Sequence, residues 1–253
     1  MILRRLGNKT KIAKEIQTHF PPHKIYIEPF FGAGGMFFNK PKAKYNIVND
    51  IDSDVFNLFQ VVSNQHEELK KEFYKMPVHV DLLNYWKDNK EKEPLKKALR
   101  FLLMSNFMYL GNNGSLRFGL SDEKEMFYKY IDKTFEFIYK VQFNNCNAID
   151  FIKSIGWRGD MERDKALIYC DPPYLSTGNN YSNSFTEADS NDLFDCLQAT
   201  GCKWAMSEFD HPFILQQAKE RNLNVTQIGE RQNLKNRRIE ILVTNYKNAL
   251  TLF

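Results

Sequence analysis

Short apolar runs flanked by polar and turn-forming residues recur along this chain. Residues 24–29, 45–48, 141–143, 166–170, 203–207, 225–228 and 239–246 each have the length and the apolar, β-branched or aromatic content of a buried strand. Between 56 and 139 this pattern stops. Stretches 67–74 and 94–108 there carry apolar residues at helical spacing with Lys and Glu on the outer face, so the segment reads as a helical insertion. Helical patterns at 190–199 and 212–221 fill gaps between the later strands. Strands alternating with helices predict an α/β fold with a largely parallel sheet, covered by helices on both faces, whose ligands bind at the carboxyl ends of the strands. The expected division is one domain built from 1–55 and 140–253, interrupted by 56–139.

Composition narrows the partners only slightly. The chain has 253 residues, 43% of them hydrophobic, enough for a full core. A formal charge of +4, from 35 basic and 31 acidic residues, permits nucleic acid without demanding it. Cys146, Cys170, Cys196 and Cys202 show no paired metal-ligand spacing, and no metal site is expected. Cys170 and Cys202 lie in apolar runs and read as small core residues in a reducing compartment. No run approaches the ~18 apolar residues of a membrane span, and residues 1–20 carry no apolar signal region. The expected location is the cytoplasm.

Two strand ends carry candidate chemistry. The first strand runs into Phe30-Phe31-Gly32-Ala33-Gly34-Gly35, a glycine-rich turn expected to open a short helix, and the second ends at Asn49-Asp50. Gly32 and Asp50 are separated by close to the ~20-residue offset at which an acid reaches a ribose hydroxyl in βαβ nucleotide sites. The second turn is Tyr169-Cys170-Asp171-Pro172-Pro173-Tyr174. It offers a carboxylate, rigid free carbonyls and an aromatic face where an apolar strand stops. An exocyclic amine on a base is a poor nucleophile because its lone pair is delocalised. Asp171 and the Pro172 carbonyl can accept its two N–H bonds while Tyr174 stacks on the ring, a combination suited to methyl transfer. A Pro-Pro turn with a capping Asp is the plainer alternative.

Taken with segments elsewhere, these residues resemble the Dam-type DNA adenine-N6 methyltransferases. The likeness runs through Gly7 and Lys9, Glu28-Pro29-Phe30-Phe31-Gly32-Ala33-Gly34, Asn49-Asp50-Ile51, Asp171-Pro172-Pro173-Tyr174, Phe185-Thr186 and Glu240. It implies a Rossmann-like methyltransferase domain that uses S-adenosylmethionine, with a helical target-recognition segment inserted. Arg5 and Lys9 match the family's N-terminal cofactor motif, with Arg5 in place of its usual tryptophan. Phe30, Gly32 and Gly34 match the methionine side, Asp50 the ribose acid, and Asn147 and Ala148 the border of the cofactor's adenine. Asp171 is implied in contact with both cofactor and target amine, in a catalytic set of Asp171, Pro172, Pro173 and Tyr174.

The resemblance also implies double-stranded DNA as partner. Asn113-Gly114-Ser115-Leu116-Arg117 resembles the family's base-reading segment, so Asn112, Asn113 and Arg117 are candidate DNA contacts. Asn pairs bidentately with adenine and Arg with guanine in the major groove. Tyr181, in the polar stretch 177–185, and Phe185 are candidates for space beside an extruded adenine. Arg231, Lys235, Arg237 and Arg238 form a basic cluster suited to phosphate or to a solvated hairpin. The segment after Arg117 lacks the longer pattern associated with GATC, so no recognition sequence is assigned. A monomer is expected, bound to the nucleoid through DNA, with a companion restriction endonuclease as a functional partner the family allows. The open alternatives are an RNA base or cytosine-amino methyltransferase of related fold, and a catalytically silent DNA-binding relative.

Overall fold

Alternation along the strands decides how the sheet is covered. In β1 (Ile25–Glu28) Tyr26 and Ile27 are both fully buried but belong to different apolar clusters, one on each face of the sheet. The structure, a computed structural model, describes residues 1–5, 7–108, 116, 120–175, 185–232 and 237–247. Six further strands complete the sheet: β2 (Tyr45–Asn49), β3 (Val141–Asn144), β4 (Ala166–Cys170), β5 (Lys203–Phe209), β6 (Asn224–Gln232) and β7 (Arg237–Thr244). Their order is β3-β2-β1-β4-β5-β7-β6. The first five strands are parallel, and β7 runs antiparallel between β5 and β6. Strand order therefore reverses between β1 and β4, which opens a crevice beyond their carboxyl ends. The expected Rossmann-like α/β sheet is the one found.

Ten α-helices stand among the described residues: α1 (Ala13–Thr18), α2 (Ser53–Asn64), α3 (His66–Lys75), α4 (Val80–Asp88), α5 (Pro94–Phe107), α6 (Leu120–Ile138), α7 (Ala148–Ser154), α8 (Asp160–Arg163), α9 (Glu187–Ala199) and α10 (Pro212–Glu220). Their starts follow capping chemistry. Asp52 accepts from the Asp54 N–H at the start of α2, Glu93 precedes Pro94 and accepts from two N–H groups of α5, and Thr186 and Asp189 form a capping box on α9. The short helix expected after the glycine turn is instead a single 3-10 turn, Phe37–Asn39. His19 and His23 stand four apart but make no helical pair, because α1 stops at Thr18 and Pro21-Pro22 intervene.

Helices α2 to α6 lie between β2 and β3. Their core is continuous with one face of the sheet: Leu58, Phe73, Leu83, Leu102 and Phe127 share a cluster with Tyr26, Val48 and Leu167. The other face is covered by Phe151 of α7, Phe194 and Leu197 of α9, and Ile214 of α10. Asn106, buried at the end of α5, ties the chain start to the insertion. Its oxygen accepts the Arg4 N–H at 2.9 Å and its amide donates to the Ile2 carbonyl at 2.9 Å, as a strand partner would. This directs the N-terminal segment towards the crevice. Among the described residues no helix is long and apolar enough to cross a membrane.

Candidate active site

The chain leaves β1 through a turn that only small residues can make. The Phe31 N–H donates to the Asn49 carbonyl of β2 at 2.9 Å, and the Gly34 N–H closes back on the Phe31 carbonyl at 2.8 Å. Gly32 has a left-handed φ of +54° and open space where a Cβ would stand, so a ligand can lie directly on its backbone. Its N–H donates to Asp50 Oδ2 at 2.5 Å, while Asp50 Oδ1 accepts from the Asp52 N–H at 2.9 Å. Burial raises the Asp50 pKa, opposed by these two N–H groups and by Arg5. Arg5 itself pairs with Asp52 at 2.8 Å.

Asp171 follows the fully buried strand β4 and projects at the reversal point, 21% exposed. Lys9, only 3% exposed, enters from the N-terminal segment and places Nζ 2.6 Å from Asp171 Oδ1. The same ammonium lies 3.5 Å from Glu240 Oε1 of β7 and 4.6 Å from the centroid of the Tyr174 ring. The Tyr174 hydroxyl donates to Glu240 Oε1 at 2.6 Å, and its ring meets Phe209 edge-on at 4.7 Å.

Ten of the residues singled out from the sequence converge on one cavity of about 770 Å³: Arg5, Lys9, Phe30, Gly32, Asp50, Asn147, Ala148, Asp171, Pro173 and Phe185. Phe30 and Phe185 meet edge-on at 6.4 Å on its wall. Asn147 also caps α7, accepting from the Ile149 N–H at 2.8 Å. Gly34 does not line the cavity; it sits beneath, where a Cβ would stand 2.5 Å from the Phe38 ring. Tyr174 and Pro172 are likewise behind the wall, Tyr174 at 9% exposure. Asn112, Asn113, Arg117 and Tyr181 lie outside the described residues. Open backbone at Gly32, a half-buried acid at Asp50 and a cavity of this size suit a nucleoside-bearing cofactor such as S-adenosylmethionine.

The burial of three titratable groups near β1 and β5 was not legible in the sequence. Glu28 at the end of β1 accepts the Tyr26 hydroxyl at 2.8 Å, and burial pushes its carboxyl up to about 8. Glu208 at the end of β5 accepts from the Phe209 and Leu175 N–H groups and is raised by burial to about 8. Lys40, over the Tyr26 ring at 4.0 Å, is lowered by burial to about 8. For a carboxyl whose folded pKa lies above its unfolded 4.5, the unfolded chain binds fewer protons in between. Stability from Glu28 and Glu208 is therefore full below 4.5 and is lost as pH rises to about 8. Lys40 has the opposite sign, adding stability as pH rises from about 8 towards 10.5. Glu28→Gln is expected to flatten part of the decline in melting temperature between pH 4.5 and 8, read as the difference between wild-type and variant melting curves. An unchanged difference across that window would place the Glu28 carboxyl in its ordinary range.

The family model described as D12 class N6 adenine-specific DNA methyltransferase matches residues 6–239. Named DNA adenine methylases are similar along much of the chain. That of Escherichia coli (strain K12) is 29% identical over 203 residues, covering 73% of this chain and 70% of that protein. The Salmonella typhi protein is 27% identical over 265 residues, covering 98% and 81%. The Serratia marcescens protein is 31% identical over 208 residues, covering 76% and 75%. Among solved structures, the rRNA methyltransferase aviRa from Streptomyces viridochromogenes aligns over 96% of this chain and 89% of that one, with a TM-score of 0.44 and 9% identity.

Proposed function

This chain belongs to the D12 class N6 adenine-specific DNA methyltransferases, and we propose that its cleft holds S-adenosylmethionine on the β1–β2 side and an adenine extruded from duplex DNA beside β4. The observation that carries this reading is the convergence of the Gly32 turn, Asp50 and Asp171 on one cavity. The cofactor, when bound, supplies an electrophilic methyl group on a sulfonium that is itself a good leaving group.

The chain's own residues do the rest by placement. Gly32 and Phe30 line the methionine side, Asp50 takes the ribose, and Asn147 with Ala148 borders the cofactor's adenine. Arg5 is held at this end by Asp52, and Lys9 engages one oxygen of Asp171. Asp171 and the Pro172 carbonyl accept the two N–H bonds of the target amine. That turns its lone pair out of conjugation and towards the cofactor. Pro173 keeps the turn rigid and Phe185 closes the wall beside Phe30; Tyr174, behind the wall in the free protein, comes to stack on the extruded ring only when the Asp171 turn opens to admit the base. All of these groups come from one subunit, so the chemistry asks for no second copy.

The test is transfer of labelled methyl from S-adenosylmethionine to unmethylated DNA, followed by digestion to nucleosides. Label in N6-methyl-2′-deoxyadenosine is the expected result. Label confined to RNA, or to methylcytosine, would overturn the substrate while leaving the fold and cofactor in place.

For sequence reading we assign Asn113 and Arg117, with Asn112 beside them. Met108 and Leu116 pair as an antiparallel bridge. Asn113→Ala and Arg117→Ala are each expected to relax discrimination between cognate and altered sites by about 10-fold or more, at roughly 1–3 kcal/mol per bidentate contact. Cofactor affinity should stay unchanged. Equal losses of discrimination and cofactor affinity would make the segment structural.

A further inference from the structure

Glu240 lies behind the cleft wall, in contact with Tyr174, also behind the wall, and with Lys9, which lines the cleft. It is 1% exposed on β7, opposite Phe209 of β5 in the register of the antiparallel pair. One oxygen, Oε1, receives the Tyr174 hydroxyl at 2.6 Å and stands 3.5 Å from the Lys9 ammonium. Lys9 in turn holds Asp171 Oδ1 at 2.6 Å and the Gly7 carbonyl at 3.3 Å. Phe209, the register partner of Glu240, supports the edge of the Tyr174 ring at 4.7 Å. Burying a carboxylate is costly unless it is paired, and packing alone would be served by an apolar residue of similar volume. A charge at this depth has work to do on its partners.

We propose that Glu240 is a positioning residue for methyl transfer, acting through Tyr174 and Lys9 to set the stacking ring and the Asp171 carboxylate for the target adenine. Its contact with the Tyr174 hydroxyl fixes the rotation of the ring. Its charge draws the Lys9 ammonium to the buried side of the turn, where that ammonium engages one oxygen of Asp171 and leaves the other for the amine. The cofactor contacts at Gly32 and Asp50 follow β1 and β2 and do not touch Glu240; Lys9 is the one proposed cofactor residue that does, and in Glu240→Gln it keeps its closer partner Asp171. The proposal rests on the reading that Asp171 and Tyr174 receive the base.

Two variants separate the arms. Glu240→Gln keeps an acceptor for the Tyr174 hydroxyl but removes the charge facing Lys9, and Tyr174→Phe removes the hydroxyl alone. Single-turnover methyl transfer at saturating S-adenosylmethionine and unmethylated DNA gives the rate. Calorimetry with sinefungin, a non-reactive analogue, gives cofactor-site affinity without DNA. Each variant is expected to lower the rate by about 10-fold or more while sinefungin affinity stays within about 2-fold, and the double variant should fall by less than the product of the two. A wild-type rate in Glu240→Gln would overturn the proposal. So would parallel losses of rate, sinefungin affinity and melting temperature, the mark of a merely structural residue. Should Glu240→Gln fail to fold, Tyr174→Phe still reads the hydroxyl arm, and an unaltered rate there would be decisive against it. A wild-type protein that methylates no DNA would overturn the adenine reading itself, a different failure from any of these.

Discussion

Asp171→Ala is expected to lower methyl transfer to DNA by about 10³-fold, at the upper end of what removal of one preorganised polar group does in other active sites. Two losses combine. The target amine loses the acceptor that localises its lone pair, and the Lys9 ammonium, 3% exposed, loses its nearest anion at 2.6 Å. Removing one partner of a buried pair typically costs ~3–5 kcal/mol, and the partial exposure of Asp171 puts this case towards the low end. A lower melting temperature should therefore accompany the loss of rate. Asp171→Asn separates the two, since its single acceptor oxygen can serve Lys9 or the amine but not both, and the charge is removed. It should retain more stability than Asp171→Ala and still transfer methyl slowly. Rates come from labelled transfer at saturating cofactor and DNA, stability from thermal melts. Undiminished transfer by Asp171→Ala would move the amine-binding group elsewhere in the cleft.

The sheet was legible wherever strands are buried on both faces. β4 is five buried residues in a row, and its apolar run stops where the chain reaches Asp171 and two prolines, so its bounds match the pattern. The β6–β7 hairpin extends further than the apolar pattern because its far end pairs Arg231 with Arg238 and Gln232 with Arg237, polar residues that carry no strand signal. α7 was missed because seven residues hold too few turns for a period, and Asn147, its cap, had been read only as a border residue. At the site the same division holds. Gly32 and Asp50 follow consecutive parallel strands, β1 and β2, and local order was enough to pair them. Tyr174 and Glu240 meet only because β7 doubles back beside β5, and Lys9 meets Asp171 only because Asn106 draws the chain start across the insertion. Glu28 and Glu208 look in sequence like polar strand ends; their burial exists only once helices cover the sheet.

Gly35→Ala is expected to damage both halves of the site through a single methyl group. Its Cβ would stand 1.8 Å from Asn8 Oδ1 and 2.9 Å from the Lys9 backbone nitrogen. The Asn8 side chain can swing away, but it is the cap of the 3-10 turn Lys9–Lys11, accepting from the Thr10 N–H at 2.9 Å and the Thr10 hydroxyl at 2.7 Å. Losing such a cap costs ~1 kcal/mol. The Lys9 backbone has no comparable freedom, and overpacking of this kind costs a further ~1–3 kcal/mol. Displacing it draws the ammonium off Asp171, so the rate should fall by about 10-fold or more alongside stability. Gly32→Ala provides the contrast. Its Cβ would meet nothing within 4 Å, because it points into open cleft at a φ of +54°. The left-handed backbone adds ~1–2 kcal/mol of strain, and the methyl group itself stands where the cofactor is proposed to lie. Sinefungin affinity should therefore fall more in Gly32→Ala, and the saturated transfer rate more in Gly35→Ala. If both variants lose only sinefungin affinity, the N-terminal segment is part of the cofactor wall and Lys9 reaches Asp171 independently of the glycine turn. If Gly35→Ala alone loses saturated rate, the turn after β1 sets the catalytic carboxylate after β4 through Asn8 and Lys9, two residues that adjoin neither strand in sequence.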